Sequence, residues 1–174
     1  YANRAIDASG DSADVLNLVG YLELARGNSQ RAIERFEGAL AADPTFADAY
    51  LGLGLARMRR NDSAGALEAI TTATALDPTR SLYMSYWSRI RYELKRYDRA
   101  LDVLARATEL DALDPTPWYL RAIVLRDLNR FGESIDSYNR AVELNDNRSV
   151  YRSRFLLDQD LATRNVDLSL IYQA

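Results

Sequence analysis

One interval runs through this chain and limits what it can fold into. Ala32, Ala66 and Ala100 stand 34 residues apart, and Ser134 continues the series. Ala39, Ala73, Ala107 and Ala141 keep the same spacing, as do the large apolar residues Phe36, Ile70, Leu104 and Tyr138. Gly20, Gly54, Ser88 and Ala122 form a column of small residues, and Leu16, Tyr50, Met84 and Trp118 a column of bulky ones. A period of this length marks a repeated supersecondary unit, stacked so that neighbours bury each other's apolar faces.

Within each period the apolar residues recur at helical spacing twice. Tyr50, Leu53, Gly54 and Met58 mark one helix face, and Ala66, Leu67, Ile70, Ala73 and Thr74 the next. Between them lies a polar break: Gly27-Asn28, Asn61-Asp62, Lys95-Arg96 and Asn129-Arg130 in successive units. Pro44 and Pro78 follow the second helices of the first two units, where a helix must stop. Strand-type alternation does not occur. The expectation is an all-α array of antiparallel helix pairs, with Ala, Gly and Ser allowing close backbone approach and the large residues filling the gaps.

The columns resemble the tetratricopeptide repeat, whose 34-residue pattern places a bulky residue, Leu-Gly, Ala, Phe and Pro at set positions. The first unit supplies Leu16, Val19-Gly20, Ala32, Phe36, Ala39 and Pro44; the second Tyr50, Leu53-Gly54, Ala66, Ile70, Ala73 and Pro78. The third supplies Met84, Trp87-Ser88, Ala100, Leu104 and Ala107, and the fourth Trp118, Arg121-Ala122, Ser134, Tyr138 and Ala141. The resemblance implies a right-handed superhelical solenoid with full repeats at 13–46, 47–80, 81–114 and 115–148. Two departures stand out. Glu23, Arg57, Arg91 and Leu125 occupy a first-helix position where the family usually has Tyr, and Glu23 and Arg57 are expected to pair or to reach solvent. Asp114-Pro115-Thr116-Pro117 shifts the prolines into the start of the fourth repeat, which should change a joint and keep the period.

Counting outward extends the array. Residues 1–12 read as the second helix of a truncated repeat, with Asn3-Arg4-Ala5-Ile6 echoed at Asn139-Arg140-Ala141-Val142, four periods on. Residues 149–174 read as an incomplete, degenerate fifth repeat. The chain is therefore expected to be a segment of a longer array, with self-association through its ends a further expectation. Tyr151 to Ala162 is similar to a stretch in bacterial envelope proteins that join tetratricopeptide arrays to a FecR-type domain. That likeness points to a bacterial cytoplasm or periplasm without choosing between them.

Function is implied by the same resemblance. Arrays of this family bind peptides or helices in a concave groove lined by first-helix positions. Carried onto this chain, the groove residues are Asn17, Tyr21, Leu51, Leu55, Arg59, Ser85, Arg89, Tyr119, Ile123 and Asp127. Asp14, Asp48, Leu82 and Thr116 belong to the same lining, whose carboxylates stand toward the rims. The mixture suits a segment with apolar anchors and some acidic character. Of the clamp by which some members grip chaperone C-termini, only Asn17 matches, while Tyr21, Gly52, Leu82 and Tyr86 replace the rest. The other expectation is structural: a spacer or oligomerisation segment of a larger protein.

Other classes of function are disfavoured by composition and motif. Neither Cys nor His occurs, which removes thiolate chemistry and the commonest general base and metal ligand. No phosphate-cradling Gly loop or Gly-x-Ser-x-Gly is present, so the segment is read as non-catalytic and free of cofactors and metals. Asp158-Gln159-Asp160 lacks supporting ligands, and the Asn61 and Asn147 sequons fall at helix junctions where such residues cap. A net charge of -3 argues against nucleic acid, and no apolar run is long enough for a membrane span. Two local basic clusters remain: Arg57, Arg59 and Arg60, and one repeat on Arg89, Arg91 and Arg96. Each is either a solvated, paired face or a site for an anion or acidic peptide. Asp102/Arg106 and Asp136/Arg140 are expected to form i,i+4 pairs on the second helices.

Overall fold

The computed structural model describes residues 12–144. Among them are eight α-helices and no strand: α1 (Ala13–Ala25), α2 (Ser29–Ala42), α3 (Ala47–Arg59), α4 (Ser63–Leu76), α5 (Ser81–Glu93), α6 (Tyr97–Leu110), α7 (Pro115–Asp127) and α8 (Phe131–Leu144). The odd-numbered helices begin at 13, 47, 81 and 115, and the even-numbered ones at 29, 63, 97 and 131, so both series step by 34. The expected truncated helix at residues 1–12 lies outside the described residues apart from Ser12. The fifth repeat, the Asp158 motif, the Asn147 sequon and the stretch from Tyr151 to Ala162 lie wholly outside them.

One turn geometry joins the helices of every pair. Gly27, Asn61, Lys95 and Asn129 occupy the left-handed region, with φ of 83°, 60°, 59° and 58°. In the first turn the Gly27 N–H donates to Leu24 O (3.0 Å) and the Asn28 N–H to Glu23 O (2.9 Å). The Lys95 and Arg96 N–H groups repeat this on Tyr92 O and Arg91 O. This pair of bonds satisfies the last carbonyls of the first helix and reverses the chain within three residues. Gly accepts the left-handed backbone freely and Asn tolerates it; Lys95 holds it against the steric cost of its Cβ.

The chain divides into two compact units, Tyr1–Pro78 and Thr79–Ala174. In the first, Phe36 is fully buried, and its ring faces the backbone of Gly20 on α1 and of Gly52 on α3. A Cβ built on Gly20 would lie 2.6 Å from that ring, and one on Gly52 would come closer still. The two glycines are thus the room the Phe36 ring occupies. Ala32, Ala66, Ile70 and Ala73 are likewise fully buried.

In the second unit the core gathers Ala100, Leu104, Leu120, Val124 and Tyr138, with Trp118 and Ile123 packed beside them. Ser134, at the position held by Ala in the other units, is accommodated because its Oγ donates to Ala122 O at 2.7 Å. The Pro-rich joint resolves as the start of α7: Asp114 is the N-cap, and Pro115 takes the first helical position, where the missing N–H costs nothing. The buried Asp114 carboxylate accepts from the Thr116 N–H (2.9 Å) and from the Ser81 Oγ (2.9 Å), tying the start of α7 to that of α5.

Three charge pairings raised by the sequence, Glu23 with Arg57, Asp102 with Arg106 and Asp136 with Arg140, are replaced by others. Glu23 accepts from the Asn28 amide (2.7 Å) and from Arg26 (3.1 Å), while Arg57 donates to Gly65 O (3.2 Å) and faces Glu37 at 3.5 Å. Glu23 finds its partners inside its own turn, and Arg57 finds them on the helices that precede and follow its own, with Glu37 reached across the repeat boundary. On the second helices, Arg106 pairs with Glu109 (3.5 Å) and Arg140 with Glu143 (3.0 Å), at i,i+3. The longer Glu side chain reaches guanidinium more easily than the Asp one turn earlier.

Candidate functional site

The expected groove residues separate by burial. In the first unit, Asn17 and Tyr21 on α1 are half-buried and Arg59 at the end of α3 is exposed, whereas Leu51 and Leu55 are buried. The Tyr21 hydroxyl donates to Asp48 O at 3.0 Å, and its ring meets Phe36 edge-on with centroids 5.0 Å apart. Tyr21 therefore fixes the first turn of α3 against α1 and shows a partner only its remaining face. Arg59 donates to Leu24 O, placing a cation on the carbonyl end of α1, where the helix dipole favours it. Asn17 differs from both: its Oδ1 is buried and meets no hydrogen-bond donor.

In the second unit Ser85 is fully buried and Tyr119 is 6% exposed, its ring 6.4 Å from that of Tyr138. Ile123 is half-buried against the core. Arg89 and Asp127 reach the surface, Arg89 beside Glu93 at 3.7 Å. Asp127 accepts from the Tyr92 hydroxyl at 2.6 Å and from the Arg126 Nε at 3.1 Å. Four expected lining residues, Leu51, Leu55, Ser85 and Tyr119, thus have little surface to offer a partner. The reason is shared: these first-helix positions also face the neighbouring helices, and apolar or small side chains there close over.

Tyr92 is a residue that sequence reasoning missed. Burial, with the Asp127 hydrogen bond and charge adding to it, pushes its hydroxyl up to about 12. The only hint was an aromatic residue with an Asp one period and one residue further on. Nearby, the Arg91 guanidinium stacks on the Trp87 ring 4.1 Å from its centroid, a cation–π contact in place of the family's usual Tyr. Among the described residues no three acidic, His or Cys side chains cluster closely enough to hold a metal ion. No helix there is long and apolar enough to cross a membrane.

The repeated helix pair with its left-handed turn now has a counterpart among known families. A model described as "Tetratricopeptide repeat" matches residues 17–81 and 87–149, more than half of the chain. The chain belongs to the tetratricopeptide repeat family. Solved structures agree on the fold. A tetratricopeptide protein of Thermus thermophilus, TTC0263, is similar over 89% of this chain and 85% of its own, with a TM-score of 0.77 at 19% identity. YrrB, described as a tetratricopeptide protein with an unusual peptide-binding site, is similar over 83% and 75%, with a TM-score of 0.64 at 19% identity. In the Cut9–Hcn1 hetero-tetramer of the APC/C, 84% of this chain matches with a TM-score of 0.77 at 20% identity, and spans only 28% of that chain's length. No curated protein matches by sequence. These likenesses establish an all-α helical-repeat solenoid, a fold used in general for protein–protein interaction and without catalysis.

Proposed function

We propose that this chain is a non-catalytic interaction scaffold that binds a partner peptide or helix along the first-helix faces, which form the concave groove in tetratricopeptide arrays. The observation that carries this reading is Asn17. Its buried amide oxygen has no donor, and such an orphan costs about 1–3 kcal/mol. A rotation of the half-buried Asn17 side chain would bring this amide to the backbone N–H of an extended segment crossing α1. The exposed part of Tyr21, the half-buried Ile123 and the cations Arg59 and Arg89 would supply apolar and charged contacts in their respective units.

The second reading, a spacer or oligomerisation segment of a larger protein, has exposed apolar side chains in its favour: Leu18 is 57% exposed, Leu113 54% and Val142 56%. Selection of peptides from a displayed library by the full chain separates the two. The binding reading expects enriched sequences whose affinity falls about tenfold on Asn17→Ala or Arg89→Glu, the size of one lost hydrogen bond to a buried or charged group. Tyr119 is no test of binding, because its removal would open the core. Absence of enrichment, together with a concentration-dependent dimer in light scattering that ignores both substitutions, would favour the spacer.

A further inference from the structure

A different feature, sharing no residue with the proposed groove, lies where α5 turns into α6. Four cations, Arg91, Lys95, Arg96 and Arg99, line one open pocket of about 620 Å3 together with a single carboxylate, Asp98. Tyr97 and Leu128 complete its wall. We propose that this pocket is a binding site for a phosphoryl dianion.

The neighbouring arginines show how this protein treats a guanidinium that is merely structural. Arg57 faces Glu37, Arg89 faces Glu93, Arg106 faces Glu109 and Arg130 faces Glu133. Among the described residues, Arg91, Arg96 and Arg99 make no ion pair and no side-chain hydrogen bond. Arg91 is held by the Trp87 ring, and its Nε is buried without an acceptor. Burial first, then the charges of Arg96 and Arg99, hold its pKa below that of an ordinary guanidinium. Leaving several like charges together with one carboxylate between them is costly unless an anion joins them.

The backbone adds to the same field. Residues 96–99 are the N-cap and first turn of the 14-residue helix α6, and the N-cap Arg96 makes no side-chain cap, so the first N–H groups of that helix are left for another acceptor. In α4 the equivalent role is filled by Asp62, which accepts from the Gly65 N–H at 2.9 Å. Charge selects the ligand. Four cations against one carboxylate exceed what a single carboxylate needs, and planar guanidinium groups match the oxygens of phosphate in pairs.

The phosphoryl group could arrive as free phosphate or on a phosphorylated side chain, and titration of the 15N-labelled full chain tells them apart. The probes are inorganic phosphate, the capped tripeptide Gly-phosphoserine-Gly and its Gly-Asp-Gly counterpart, at matched ionic strength. The expected result is saturable shifts of the amides at 96–99 with a phosphoryl probe, and at least about tenfold weaker response to the Asp tripeptide. Saturation by both phosphoryl probes marks a free-anion site; saturation by the tripeptide alone marks a group carried on a peptide. Arg96→Gln and Arg99→Gln, both at exposed positions, should each weaken binding about tenfold, while Arg106→Gln should not. Linear, unsaturated shifts, an equal response to Gly-Asp-Gly, or indifference to both pocket substitutions would overturn the proposal.

Discussion

Gly52 has only a hydrogen for a side chain and carries one of the tightest constraints in the first unit. The Phe36 ring occupies the volume that any Cβ at Gly52 would need, and that ring is itself fully enclosed. Gly52→Ala should therefore lower stability by about 1–3 kcal/mol through overpacking, seen as a lower denaturant midpoint. Lys95 presents the opposite case. It holds a left-handed backbone that Gly would adopt without strain, so Lys95→Gly should raise stability by about 0.5–1 kcal/mol in the same measurement. Tyr92 makes a prediction about pH. Its hydroxyl is raised in the folded state to about 12 from 10.0, so the proton is bound more tightly folded than unfolded. The resulting stability is fully present below pH 10.0 and is lost as pH rises toward 12. A comparison of unfolding midpoints between about pH 9 and 12 should show a shallower decline for Tyr92→Phe than for the parent chain.

Among the elements, α7 is tied to a second helix by a residue outside it. Asp114 caps its first turn and accepts from Ser81 at the start of α5, so one carboxylate serves two helices of adjacent repeats. Asp114→Ala should cost about 1–3 kcal/mol, from the lost cap and the stranded Ser81 hydroxyl. A double-mutant cycle with Ser81→Ala should return a coupling of about 0.5 kcal/mol or more, whereas zero coupling would show that the bond contributes nothing to α7. The proline pair was legible as a change at this joint. The role of Ser81 was not, because a serine 33 residues before an Asp looks like any helix-starting serine.

For the molecule as a whole, the repeat design predicts how separate defects combine. Gly52 contacts Phe36 in the first unit, while Asp114 contacts Ser81 and Thr116 in the second, so the two substitutions share no partner. Their destabilisations should add to within about 0.5 kcal/mol in the double variant, as expected when each repeat answers mainly to its neighbours. A much larger departure would show that the two units are energetically one.

The fold was written almost completely in the sequence. A period of 34 with small and large residues in fixed columns leaves few ways to bury the apolar faces, and Gly27, Asn61 and Asn129 even mark the left-handed turns. What the columns could not rank was exposure within the first helices. Leu51, Leu55, Ser85 and Tyr119 occupy expected groove positions yet are buried, because which neighbour covers a helix face depends on packing between repeats, and periodicity does not record that. Charge partners were also decided only in three dimensions. Glu23 turned to Asn28, Arg57 to Glu37, and Arg91 to a tryptophan ring beside two unpaired arginines. Sequence spacing gives the reach of a side chain along its own helix; only the tertiary structure sets which charges converge and which are left without a partner.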